Sequence, residues 1–153
     1  MIQLNTIDDT PVTRKKLVVI GNGMAGARLL EDVLACDPTL FDITVFGDEP
    51  YGNYNRILLS SVLSGSHDPK DIFINPLAWY EENGVRLHAG VPVTAIDRAA
   101  RVVHGAGGVA EPYDHVVLAT GSVPFVPPVE GSPFAKPPVC PLMPASVSAL
   151  RAA

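Results

Sequence analysis

Three glycines at the spacing G-x-G-x-x-G, namely Gly21, Gly23 and Gly26, separate the apolar run Val18-Val19-Ile20 from a helix-like stretch. In that setting each has a use in holding a dinucleotide. Gly21 permits the tight turn, Gly23 lets backbone approach a pyrophosphate, and Gly26 allows the helix to pack closely on the strand. The helix opening at Met24 and Ala25 then offers unpaired N–H groups and the positive end of its dipole to the phosphates. The competing reading is a bare structural turn. Roughly 20 residues on, where the fingerprint calls for a carboxylate to meet ribose hydroxyls, Asp48 and Glu49 follow "ITVFG". The strict strand-end position is Gly47, so which carboxylate reaches the ribose stays open. An acidic pair repels a 2′-phosphate and argues against NADP at this site. Its competing reading is a solvated turn.

The elements that must position these groups follow from pattern. Lys15 to Ile20 reads as a short buried strand, and Met24 to Cys36 as a helix with Ala25, Leu29, Leu30, Val33 and Leu34 near one face. Pro38 stops that helix, and Ile43 to Phe46 forms the second strand. A short helix is predicted from Arg56 to Leu63, closed by Gly65, and another in "NPLAWYEENG", with Trp79 and Tyr80 as core-packing residues. Strands are predicted at Val85–His88, Pro92–Ile96 and Arg101–Val103, and a buried parallel strand at His115–Thr120. Eight prolines between Pro124 and Pro144 exclude a regular element there, and Ala145 to Ala153 reads as a short helix.

Bulk properties narrow the function classes. With 153 residues, 47% apolar and 18% charged, the chain suits one globular core. A net charge of −5 without a Lys/Arg stripe gives no basis for binding nucleic acid. No apolar run reaches the length of a membrane span, and the N-terminus lacks the pattern of a secretory signal, so a cytoplasmic location is expected. Cys36 and Cys140 have no partner spacing, and Cys36 is expected to be a small buried hydrophobe. His88, His104 and His115 show no metal-ligand spacing, and Ser66-His67-Asp68 are consecutive and cannot form a relay. No metal and no catalytic acid or base is assigned.

The segments "VVIGNGMAG", "DITVFGDEP", "YNRILLSSVLSG", "WYEENGVRLHAGVPVTAIDR" and "YDHVVLATGS" together resemble the FAD-binding half of the pyridine nucleotide–disulfide oxidoreductase superfamily. The likeness is greatest to the N-terminal region of NAD(P)H-dependent nitrite reductase large subunits, with ferredoxin and rubredoxin reductases next. It covers about Lys16 to Gly131. It implies an α/β, Rossmann-type three-layer fold with a small β-meander, incomplete in this chain, and FAD as cofactor with NAD(P)H as substrate. It gives Arg56 a place at the pyrophosphate, where a guanidinium suits phosphate; the competing reading is a surface arginine. Ser60 and Ser61 fall near the flavin, with Ser61 standing where ferredoxin-reductase relatives carry lysine. Val93 resembles the strand residue whose backbone meets the adenine, and Thr120-Gly121-Ser122 the turn that closes against the cofactor. The disulfide reductases of the superfamily need cysteines within the Arg56–Leu63 region, and none stands there.

The expected organisation is a lead-in at 1–14, a partial FAD-binding domain at 15–131 and a Pro/Ala-rich tail at 132–153. Relatives insert a second glycine motif for NAD(P)H, whereas this chain has one. The expected function is therefore the FAD-binding portion of an oxidoreductase that moves electrons from NAD(P)H through FAD to a redox-centre acceptor. A partner chain or further C-terminal region would carry the NAD(P)H site. Competing expectations are a non-catalytic FAD- or ADP-binding fragment or module needing a partner chain, a ferredoxin or rubredoxin reductase-like protein, and a single-domain NAD-binding protein. An open sheet edge is expected to favour self-association.

Overall fold

In the computed structural model residues 14–122 are described. Residues 1–13 of the expected lead-in at 1–14, the proline-rich segment and the helix expected at 145–153 lie outside them.

Strand β1 (Lys15–Ile20) leads through the glycine turn into helix α1 (Met24–Cys36) and back to β2 (Phe41–Gly47), which pairs parallel with β1 from Lys15↔Phe41 to Ile20↔Phe46. Strand β5 (Arg86–Ala89) adds parallel to β2, and β9 (His115–Leu118) adds parallel to the other side of β1. The sheet order is β5-β2-β1-β9. Chain connections therefore leave β1 in opposite directions, which opens a crevice at the carboxyl ends of the central strands.

The alternation of β1 decides the layers. Leu17 and Val19 point to one side, where they join Leu30, Ile43, Val45, Tyr80 and Val85 under α1 and α3 (Leu77–Glu82). Val18 and Ile20 point to the other, against Phe46 and Val103. Val103 belongs to an antiparallel meander of β6 (Val93–Asp97), β7 (Val102–Gly105) and β8 (Ala110–Pro112). The run of branched residues in β1 is thus buried on both faces, as parallel strands between two layers must be. The fold is Rossmann-type, with the meander as its third layer. A polar seam ties meander to sheet: Glu111 accepts from Arg86 at 3.3 Å and meets His88 Nε2 at 2.8 Å.

Between β2 and β5 lies a smaller unit of β3 (Asn53–Tyr54), α2 (Leu59–Leu63) and β4 (Phe73–Asn75), with Tyr54, Leu59, Val62 and Ile72 as its own core. The helix expected from Arg56 to Leu63 is a 3₁₀ turn at Arg56–Leu58 followed by α2, because Asn55 caps the turn by accepting from the Ile57 N–H at 3.0 Å. Strands β3, β4 and β8 have no counterpart in the expectations. They are two or three residues long, too short for a period-2 pattern to register.

Cys36 corrects an expectation: it is exposed. Six residues past buried Leu30, it stands about 240° around the helix from that face. Ala25, also expected on the apolar face, is exposed at the rim of the crevice.

Candidate functional site

The crevice is a cleft of about 580 Å³ above the ends of β1, β2 and β9, a size suited to part of a cofactor. Its floor is the glycine turn. Gly21 has φ +110°, and a Cβ on it would stand 2.2 Å from the Ala119 carbonyl oxygen. A Cβ on Gly26 would stand 2.2 Å from the Gly21 carbonyl oxygen, so α1 rests directly on the turn. Gly23 is the opposite case: nothing lies within 4 Å of where its Cβ would be, and the backbone there faces open space. It is also the N-cap of α1 and no side chain caps it, nor does any acidic residue stand in the first turn. The first-turn N–H groups of Met24, Ala25 and Gly26 have no intrahelical acceptor. In this 13-residue helix they make an anion-accepting end at the cleft. Backbone that opens onto space, beside uncapped donors, fits a pyrophosphate.

One wall carries charge. Asp48 and Glu49 follow β2 and both line the cleft, as does Arg56. Arg56 Nη2 donates to Glu49 Oε1 at 2.8 Å, and its guanidinium lies 5.4 Å from the centre of the Tyr54 ring. The arginine is therefore held between a carboxylate and an aromatic face, at the rim, with its side chain 55% exposed. The two carboxylates differ: Glu49 is engaged by Arg56, whereas Asp48 is exposed beside the cleft. Gly47 is glycine for a packing reason, since a Cβ there would meet the Asn22 Cβ at 3.0 Å. The acidic group therefore comes one residue after the strand end. The opposite wall is Leu118 to Ser122, including Thr120 and Gly121.

Of the residues singled out in the sequence, Gly21, Gly23, Met24, Ala25, Asp48, Glu49, Arg56, Thr120 and Gly121 converge on this cleft, and Gly26 lies under its floor. Ser60 does not line it; its hydroxyl is exposed and donates to the Ile57 carbonyl at 3.4 Å. Val93 does not line it either, and packs in the core between sheet and meander. Ser66-His67-Asp68 form no relay, for Asp68 instead accepts from the Lys70 N–H.

Pattern reading missed Asn22 and Tyr80. Tyr80 belongs to the core as expected, with Trp79 edge-on at 5.1 Å, but its hydroxyl also donates to Asn22 Oδ1 at 2.7 Å. The one available signal was general: a buried tyrosine hydroxyl needs a partner. Burial pushes the Tyr80 phenol above its usual value, against the lowering pull of Asn22 and the Asn53 backbone N–H. A raised folded value means that Tyr80 contributes stability fully below the unfolded value near 10, and loses it as pH climbs through the folded one. The thermal midpoint of the wild type is thus expected to fall further than that of Tyr80→Phe between pH 9 and 11. Parallel melts across that window check it.

Comparison with known proteins gives consistent likenesses. The family described as "Pyridine nucleotide-disulphide oxidoreductase" matches residues 15–151. The "Nitrite reductase [NAD(P)H]" of Bacillus subtilis (strain 168) is 48% identical over 119 residues, covering 78% of this chain and 15% of that protein. The "Nitrite reductase (NADH) large subunit" of Escherichia coli (strain K12) is 38% identical over 122 residues, covering 79% of this chain and 14% of that one. Among solved structures, the covalent putidaredoxin reductase–putidaredoxin complex superposes with a TM-score of 0.70 at 29% identity, over 76% of this chain and 28% of that chain. The chain spans about one seventh of the length of these nitrite reductases.

Proposed function

Since the chain belongs to the pyridine nucleotide-disulphide oxidoreductase family, we propose that its crevice binds FAD and that it is the FAD-binding portion of an NAD(P)H-dependent oxidoreductase of the nitrite reductase type. The observation that carries this is the combination in one cleft of an uncapped helix N-terminus, open glycine backbone and a braced arginine. In this reading Gly21, Gly23, Met24, Ala25, Gly26 and Arg56 meet the pyrophosphate. Asp48 or Glu49 takes the ribose hydroxyls, and Thr120 and Gly121 close the far wall. Ser60 and Val93 keep their family roles only at the ends of the cofactor, outside the cleft itself. FAD held by these residues would supply the redox chemistry between NAD(P)H and an iron–sulfur or sirohaem acceptor. The protein's part is to bind and orient.

A second reading, a flavin-binding module that needs further chain to work, draws on one feature. Strand β9 ends the sheet among the described residues, and Leu118 beside the cleft is 65% exposed. Another strand would cover both.

Calorimetric titration of the purified chain with FAD, and separately with NADH, tests the proposal. Saturable FAD binding without an NADH response is expected. NADH binding at the FAD cleft in preference to FAD would replace it with a single-domain NAD-binding protein.

A further inference from the structure

The residue between the first two glycines is gripped from two distant parts of the chain. Tyr80, from α3 and 1% exposed, donates to Asn22 Oδ1 at 2.7 Å. Asn53, from β3 and 2% exposed, donates Nδ2 to the Asn22 carbonyl at 3.1 Å. Asn22 itself lines the cleft between Gly21 and Gly23.

A turn that is two-thirds glycine has more conformational freedom to lose than any other of its length. If that freedom were lost on binding, it would weaken the complex; a turn already fixed does not carry that cost. The core asks only for the ring of Tyr80, which a phenylalanine would match. The hydroxyl is what reaches out of the core to the turn.

We propose that Tyr80 and Asn53 form a clamp on Asn22 that fixes the glycine turn in its phosphate-accepting shape, making Tyr80 a positioning residue for the pyrophosphate from outside the cleft. This rests on the nucleotide reading given above. The clamp acts on the phosphate end alone, so its loss is selective among ligands. Adenosine, which has no phosphate, is indifferent to it. ADP, which carries the diphosphate, is not.

The test titrates the full chain with ADP and with adenosine, followed by NMR chemical shifts, in the wild type, Tyr80→Phe, Asn22→Ala and the double variant. Tyr80→Phe is expected to weaken ADP roughly 5- to 10-fold, the worth of one lost hydrogen bond, and to leave adenosine unchanged. The double variant is expected to bind ADP no more weakly than Asn22→Ala, since both changes break the same contact. Equal weakening of both ligands would reduce Tyr80 to a packing role and overturn the clamp, as would unchanged ADP affinity. Should Tyr80→Phe fail to fold, Asn53→Ala, which removes the other arm of the clamp from outside the cleft, carries the same comparison. A wild type that takes up neither ligand overturns the nucleotide reading itself, a result distinct from failure of the clamp.

Discussion

Gly21→Ala is expected to lower folding stability by roughly 2–6 kcal/mol, the sum of backbone strain at positive φ and overpacking, and to abolish FAD binding. Two features make this site severe. The residue sits at φ +110°, and the new methyl would stand 2.2 Å from a carbonyl oxygen, that of Ala119. Backbone cannot swing aside as a side chain can. Ala119 directly follows β9, and its N–H is tied to the Ile20 carbonyl at 2.8 Å, so separating the two means opening the β1–β9 ladder. Gly23→Ala is the informative companion. Its Cβ would meet nothing within 4 Å, and its φ is not in the left-handed region. Stability should change little, while the methyl intrudes where phosphate would lie. Urea denaturation and FAD titration of both variants separate the two effects. A stable, FAD-binding Gly21→Ala would show that the turn is not built as described.

Arg56→Ala is expected to weaken FAD binding about 10- to 100-fold, the range for a lost hydrogen bond to a charged group, with folding stability nearly unchanged. The reason for the asymmetry is exposure. The Arg56–Glu49 pair lies at the rim, with side chains 55% and 22% exposed, and such a pair contributes only about 0–1 kcal/mol to folding. Toward a pyrophosphate the same guanidinium offers a charge and a fixed fork. Its removal also leaves Glu49 facing the phosphates without a counter-charge. Arg56→Lys should fall between wild type and alanine, because it keeps the charge and loses the fork. Added salt should narrow the gap among all three. Equal FAD affinity in Arg56→Ala and wild type would remove the arginine from the site and leave the helix N-terminus as the sole anion-binding element.

Much of this protein was legible in its order of residues. The bounds of β1 and α1 match the expectation, because branched apolar residues, glycine spacing and a helical stripe each act within a few neighbours. The expected β2, β5, β6 and β7 differ from the observed strands by one or two residues at their ends. The glycine turn and the acidic pair were visible together because each is a local signal, placed at the interval that a βαβ unit imposes; the "ATGS" segment carried meaning only through the family resemblance.

What tertiary structure alone decided lies in contacts across long separations. No spacing rule joins Tyr80 to Asn22, 58 residues apart, or Asn53 to the same residue, 31 apart. Nor could the pattern say that Glu49 would be taken by Arg56 while Asp48 stayed exposed, since that depends on how the β3 unit folds back over the end of β2. Cys36 shows the same limit in reverse: a small apolar type suggested burial, and its angle around α1 put it in solvent. The sequence by itself determined which backbone could accept a phosphate, because glycine spacing and helix polarity are properties of adjacent residues. Only the packed chain decided what holds that backbone still, because a side chain that finds its partner across the core does so by direction and distance.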